Sequence, residues 1–234
     1  IRLHPDRPYY AKGSFDDQHR LFFETTKDGV SYFADIKISN MAKPQILGDG
    51  KFTANGKDIE LSFPMPHGEV IADLAINGDT LKNIRGTAYM DHLVQTDLGV
   101  NIFENGYRFK TGDMQNGLVG NFLKSKEGNQ VAGYGIRYKD GQAQPIIPQS
   151  QEINRKENVR GKEVPADITF TTLDNNPVQL SINNVLFVYS ILDELGGFKS
   201  FFAKKIMGGE LIQFNGTGTI NENEKLIFNF FYTN

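Results

Sequence analysis

The amino-acid sequence predicts an all-β protein, because its apolar residues recur with a period of two and turn signals are frequent. Glu69–Ile76 alternates apolar and polar residues, and so does the second half of Val30–Ser39. Such alternation places the apolar side chains on one face of a strand and the polar side chains on the other. No stretch has the length and period of the crossover helices that a parallel sheet needs, so the sequence predicts antiparallel strands.

Tight turns between these strands are predicted by Asn-Gly and Asp-Gly pairs, which supply the positive φ angles that hairpin turns require. The pairs are Asp28-Gly29, Asp49-Gly50, Asn55-Gly56, Asn77-Gly78, Asn105-Gly106, Asn116-Gly117 and Asp140-Gly141. The polar stretch from Pro145 to Pro165 fits either a wide pair of strands or a long loop.

One segment departs from the period of two and predicts a short helix over residues 197–206, ended by Gly208-Gly209. Its apolar residues would share one face: Phe198, Phe201, Phe202 and Ile206. An apolar helix face normally packs against a core, although this one could instead be a lid over the mouth of a barrel. Lys204-Lys205 suits the negative end of a helix dipole, and it could also meet an anionic lipid headgroup.

Composition excludes several classes of protein. The chain has 234 residues, 39% hydrophobic and 23% charged, with a net charge of −3. No basic block predicts a nucleic-acid partner, and no apolar stretch is long enough to predict a transmembrane segment. The absence of cysteine removes thiolate metal sites and cysteine nucleophiles. No nucleotide or metalloprotease motif is present, and the four histidines are widely spaced, so we expect neither a cofactor nor a metal. Compartment and oligomeric state are not predicted.

A candidate site begins at Phe63-Pro-Met-Pro66 and continues through Val70–Gly78 to Gly86-Thr-Ala-Tyr-Met-Asp-His92. On a regular strand, Tyr89 and Asp91 would share one face. A carboxylate can orient an imidazole and raise its basicity, so Asp91 and His92 are a possible acid/base pair. The alternative is structural, with the aspartate holding turn amides and the histidine a backbone carbonyl.

These three segments resemble the AttH-like and carotenoid 1,2-hydratase family, most specifically at residues 86–92. The resemblance extends over about residues 60–234, with further matching segments at Tyr107-Arg-Phe109, Asp140-Gly141, Val164-Pro165, Leu180-Ser-Ile182 and Gly216-Thr-Gly218. It implies two consecutive antiparallel lipocalin-like β-barrels, or barrel-like sandwiches, with the boundary near residue 95. The domains would be 1–95, short for a complete barrel, and 96–234. It also implies Tyr89, Asp91 and His92 as catalytic residues, in a pocket at the junction of the domains.

Five aromatic residues are the expected ligand-binding residues: Tyr107, Phe109, Tyr134, Phe198 and Phe202. Tyr134 could hydrogen-bond a ligand or lie at the rim of the barrel. The leading hypothesis is binding of an apolar small molecule, lipid-like or terpenoid-like, in a barrel or an interdomain pocket. The alternative is a cofactor-free hydratase, isomerase or cyclase acting on an unsaturated isoprenoid or polyketide-type substrate. A third hypothesis gives residues 86–92 a structural role alone.

Overall fold

The computed structural model describes residues 9–13, 18–27, 29–112, 115–159, 162–190, 192 and 197–233. It is 74% strand and 6% helix, which confirms the all-β prediction and fits a lipocalin-like fold. The first six strands are β1 (Tyr9–Gly13), β2 (Gln18–Lys27), β3 (Val30–Asn40), β4 (Lys51–Ala54), β5 (Lys57–Ile76) and β6 (Asp79–Gln95). The next nine are β7 (Phe103–Thr111), β8 (Leu118–Ser125), β9 (Val131–Lys139), β10 (Gln142–Ile146), β11 (Pro148–Val159), β12 (Lys162–Thr172), β13 (Val178–Ser190), β14 (Leu211–Ile220) and β15 (Glu224–Thr233).

The chain divides into two compact units. The first comprises Ile1–Gln45 and Phe63–Asp91, and the second comprises Ile46–Ser62 and His92–Asn234. Residues Ile46–Ser62, which lie in the chain between the two segments of the first unit, therefore belong to the second unit. The division of the chain into lipocalin-like domains at residues 95 and 96 stays a prediction.

In the six-stranded sheet the order is β1-β2-β3-β5-β4, and β6 also pairs with β5. Two-residue turns join β4 to β5 and β5 to β6. Asn55-Gly56 and Asn77-Gly78 both have positive φ at each residue, as a type I′ hairpin turn requires. These turns confirm the predictions made from the two Asn-Gly pairs.

The nine-stranded sheet has the order β10-β9-β8-β7-β15-β14-β13-β12-β11. Its two outermost strands, β10 and β11, are separated in the chain by Ile147 alone. Strands at opposite ends of a flat sheet cannot be joined by one residue, so this sheet curls until its edges approach each other. The described residues of the Pro145–Pro165 stretch belong to strands rather than to a long loop, since β11 pairs antiparallel with β12.

Asn105-Gly106 is not a turn, contrary to the sequence prediction, because both residues lie inside β7. Gly106 is needed there for packing. A Cβ atom at Gly106 would lie 2.4 Å from the Phe231 ring and 2.8 Å from Leu123 Cδ2. Asn105-Gly106 therefore marks a place where the Phe231 and Leu123 side chains closely approach the β7 backbone.

Two helices are present in the described part of the chain. The predicted helix is confirmed as α2 (Gly197–Met207), and α1 (Gly99–Ile102), a single turn, was not predicted. Gly208 ends α2 with a φ of 74°, and the Gly209 amide donates to the Lys204 carbonyl at 3.0 Å. This is the hydrogen-bond pattern of a Schellman motif. Neither helix has the length and apolar character needed to cross a membrane.

Candidate functional site

The predicted site residues lie near the end of β6, where burial alternates. Tyr89 and Asp91 are half-buried, whereas Met90 and His92 are exposed. Successive side chains of a strand project to opposite faces, so Tyr89 and Asp91 share one face and His92 lies on the other. Asp91 belongs to the first compact unit and His92 to the second. The predicted roles of these residues stay predictions.

The interior of the curled nine-stranded sheet is filled by aromatic rings. Tyr107 stacks on Phe230 at a centroid distance of 4.5 Å and meets Phe170 edge-on at 5.4 Å. Phe109 packs edge-on against Phe122 at 5.1 Å. Tyr107 and Phe109 are therefore brought together, but the space around both rings is occupied by neighbouring side chains.

The Tyr107 hydroxyl is buried within this interior and makes no hydrogen bond to the described residues. Burial raises the pKa of Tyr107 well above its ordinary value, and the nearby Glu104 charge adds to the shift. The side chain is consequently held in its neutral form, and its buried hydroxyl has no partner among the described residues. Buried water commonly satisfies such groups.

Tyr134 lies on the opposite face of this sheet from Tyr107. It pairs with Asn121, and its hydroxyl donates to the Leu61 carbonyl at 3.4 Å. Burial raises the pKa of Tyr134. The structure therefore does not bring Tyr134 together with Tyr107 and Phe109.

The two remaining predicted ligand-binding residues belong to α2. Phe202 is exposed and contacts the Phe201 ring edge-on at 5.8 Å. The side chain of Phe198 lies outside the described residues. The five predicted residues thus occupy at least three separate environments.

Sequence reasoning did not identify as a candidate site an apolar face of the six-stranded sheet, on strands that belong to the first unit. Three cross-strand rows build it from β2, β3 and β5 by direct pairing. The rows are His19–Ile38–Val70, Leu21–Ile36–Ala72 and Phe23–Ala34–Leu74, followed by the pair Tyr32–Ile76. Leu21 is 41% exposed, Phe23 43% and Ile76 55%. We call these residues the apolar sheet face.

This face ends in two polar side chains, His19 and Asn40. The Nε2 atom of His19 and the Oδ1 atom of Asn40 are buried, and neither hydrogen-bonds to a described residue. Asn40 is two residues beyond Ile38, the partner of His19, so the two side chains are diagonal neighbours on one face. Each of them interrupts an alternating apolar pattern, His19 at the start of β2 and Asn40 at the end of β3, and this is the signal that could have identified them.

The reverse face of the same sheet is more polar, although Phe22, Phe33 and Ile71 also lie on it. Arg20 donates to both carboxylate oxygens of Asp35, at 2.7 Å from Nε and 2.6 Å from the terminal nitrogen. The hydrogen bond from Arg20 lowers the pKa of Asp35, against a smaller opposing effect of burial. The two faces therefore differ, because the reverse face carries an ion pair among mixed side chains and the apolar sheet face does not.

Other features offer little for chemistry. A groove of about 240 Å³ follows the β4–β5 hairpin, and no predicted site residue lines it. It is formed by Lys51, Phe52, Thr53, Asp58, Ile59 and Glu60. Across the described ranges, no three His, Asp or Glu side chains are grouped closely enough to hold a metal ion.

Comparison with solved structures supports the fold. Kievitone hydratase from Nectria haematococca superposes with a TM-score of 0.52 at 14% identity, over 92% of this chain and 64% of that chain. A protein described as a putative AttH from Nitrosomonas europaea superposes with a TM-score of 0.61 at 11% identity, over 97% of this chain and 68% of that chain. The chain thus spans somewhat less than two thirds of the length of the hydratase.

The resemblance inferred from residues 86–92 is confirmed at the level of the fold, which is the lipocalin-like fold of AttH-type proteins. No protein-family model matches the sequence. No curated protein matches it either.

Proposed function

We propose that this protein binds an apolar small molecule on the apolar sheet face of its first unit. The observation that carries the proposal is the combination of large apolar side chains and incomplete burial across β2, β3 and β5. A sheet face of this composition normally packs against a second layer. Here Leu21, Phe23 and Ile76 keep roughly half of their surface accessible.

Burial of these side chains by a ligand supplies the driving force. Full burial of a large apolar side chain contributes about 1.5–3 kcal/mol, so covering the exposed half of such a side chain contributes roughly half of that. Ligand sites are mostly apolar with a few placed polar groups, and His19 and Asn40 provide such groups at one end. The proposed ligand is therefore elongated and apolar, with a hydrogen-bonding group at the end that lies over His19 and Asn40.

Fluorescence titration with Nile red, an uncharged apolar dye, tests this proposal. We expect saturable binding that weakens by about tenfold in Leu21→Ser, since that change removes one apolar contact. Ile227→Ser is the matched control, because Ile227 is also about half-exposed but lies on β15 of the other unit. No saturable binding, or equal weakening by both substitutions, would refute the proposal.

A cofactor-free hydratase, isomerase or cyclase is the second candidate function. It is favoured by Tyr89 and Asp91 on one half-buried face of β6, which pairs with β5 in the sheet that bears the apolar face. The hydratase name of one structural neighbour points the same way. In this proposal Asp91 donates a proton to a carbon–carbon double bond or stabilises the resulting cation, and Tyr89 orients it.

Asp91→Asn and His92→Gln separate this candidate from simple binding. Once an unsaturated ligand has been extracted from the protein and identified, its turnover should fall at least about a hundredfold in Asp91→Asn. His92 lies on the exposed face, so His92→Gln should leave turnover within about twofold of wild type. Unchanged turnover in a folded Asp91→Asn variant would exclude the enzymatic role of Asp91.

A further inference from the structure

Helix α2 exposes three large apolar side chains to solvent. Ile206 is 83% exposed and Phe201 66%, and Phe202 is exposed as well. Among the α2 side chains that the structure describes, Ala203, Lys204 and Met207 are half-buried. A helix that covers a core does the opposite, turning its apolar side chains inward and its charges outward.

Helical geometry places the exposed residues on one continuous arc. At 100° per residue, they follow each other around the axis in the order Phe201, Lys205, Phe202, Ile206 and Lys199. The half-buried residues occupy the remaining arc. The exposed face therefore alternates apolar and cationic side chains, and we call it the α2 face.

Charge on this helix is of one sign. Lys199, Lys204 and Lys205 are its charged residues, and the helix contains no Asp or Glu. Lys204 lies 3.4 Å from Glu210, which offsets its charge. Lys199 and Lys205 are both exposed and belong to the α2 face.

We propose that the α2 face docks this protein on an anionic lipid bilayer. Phenylalanine and isoleucine side chains would enter the boundary between headgroups and acyl chains, while the lysines contact anionic headgroups. The whole chain has a net charge of −3, so general electrostatics repel it from such a surface. Attraction to the anionic bilayer must consequently come from the apolar and cationic side chains of the α2 face. This inference is independent of the proposed ligand site, which lies in the other unit.

Vesicle co-sedimentation tests it, using phosphatidylcholine alone and phosphatidylcholine mixed with phosphatidylserine. Wild type should bind the mixed vesicles and lose binding at high salt. Each lysine near the surface strengthens binding by about fivefold, so the double substitution Lys199→Gln/Lys205→Gln should weaken binding by about twenty-five-fold. The pair Phe201→Ser/Ile206→Ser should weaken it by at least about tenfold.

The matched control is Leu173→Ser/Lys225→Gln, a pair of exposed residues that lie outside α2. Leu173 lies before the start of β13 and α2 lies after its end, so Leu173 and α2 are near opposite ends of that strand. This control should bind like wild type. Circular dichroism checks that each variant is folded. If Phe201→Ser/Ile206→Ser misfolds, Lys199→Gln/Lys205→Gln still tests the proposal.

Three outcomes would overturn the inference. They are absence of binding to the mixed vesicles, equal binding to both kinds of vesicle, and a wild-type dimer that Phe201→Ser/Ile206→Ser dissociates without any vesicle binding. Nile red binding should be unchanged in all α2 variants, so failure here leaves the ligand proposal standing.

Discussion

The interior of the nine-stranded sheet and the apolar sheet face of the six-stranded sheet differ in how far they bury large apolar side chains. Inside the nine-stranded sheet, Phe170 contacts both Tyr107 and Phe122, and all three rings are almost completely buried. On the six-stranded sheet, Leu21 and Phe23 stay about half-exposed. Apolar content alone therefore does not identify a ligand site. The informative property is apolar surface that the protein itself leaves uncovered.

The largest expected difference between the sheets is in stability. Phe170→Ala removes a fully buried ring and should lower the free energy of unfolding by about 3–5 kcal/mol. Phe23→Ala should cost only about 1 kcal/mol, because the Phe23 ring is half-exposed, but it should weaken Nile red binding. Urea unfolding measures both costs. Equal losses of stability would show that the two sheets are packed alike.

Two glycines sharpen the comparison. Gly106→Ala should destabilise by about 1–3 kcal/mol, since the new methyl group would overlap the Phe231 ring. Gly86, in the segment that carries the family resemblance, has no atom within 4 Å of such a methyl group. Gly86→Ala should be neutral or stabilise by up to about 1 kcal/mol in the same assay. A large loss at Gly86 would contradict an open environment there.

Alkaline pH should act on the buried tyrosines of the nine-stranded sheet. Burial raises the pKa of Tyr138 from 10.0 to about 12. A raised pKa means that the fold favours the neutral phenol. Its stabilising effect is therefore complete below pH 10 and is lost as the pH rises towards 12. Tyr138→Phe should reduce the loss of unfolding free energy across this window, and Tyr32→Phe on the six-stranded sheet serves as the control. Identical alkaline profiles for wild type and Tyr138→Phe would contradict this.

The smallest effect concerns the ion pair on the reverse face of the six-stranded sheet. Arg20→Gln should lower the free energy of unfolding near neutral pH by about 0.2–1 kcal/mol, because the ion pair with Asp35 is partly exposed. Asp35 has a lowered pKa, so the stabilisation is present above its ordinary value of 3.8 and is lost as the pH falls below it. Urea unfolding at neutral and acidic pH measures this. An effect that persists undiminished in acid would mean that Arg20 acts through packing.

Much of the fold was predictable where one strand face is apolar and the other polar. β3 and the second half of β5 alternate clearly, and α2 was located to within one residue at its end. The family resemblance at residues 86–92 also predicted the fold correctly. In β8 nearly every residue is buried, so both faces are covered and the alternation of buried and exposed residues disappears.

The candidate site was less predictable, because it depends on which strands pair. No local signal shows that Leu21 lies beside Ile36 and Ala72. Nor does any local signal show that His19 and Asn40 are diagonal neighbours at one end of the apolar sheet face. Tyr107 and Tyr134 are both aromatic residues on predicted strands, yet they lie on opposite faces of one sheet. Register decides the face, and register follows from long-range pairing.

Photo-crosslinking with an uncharged alkyl diazirine, followed by peptide mass spectrometry, tests the central claim most directly. The account predicts labelling concentrated in β2, β3 and the second half of β5, with protection by an excess of unreactive apolar ligand. The interior strands β7, β8 and β12 should remain unlabelled because aromatic side chains fill that space. Protected labelling inside the nine-stranded sheet, with none on the apolar sheet face, would contradict the account.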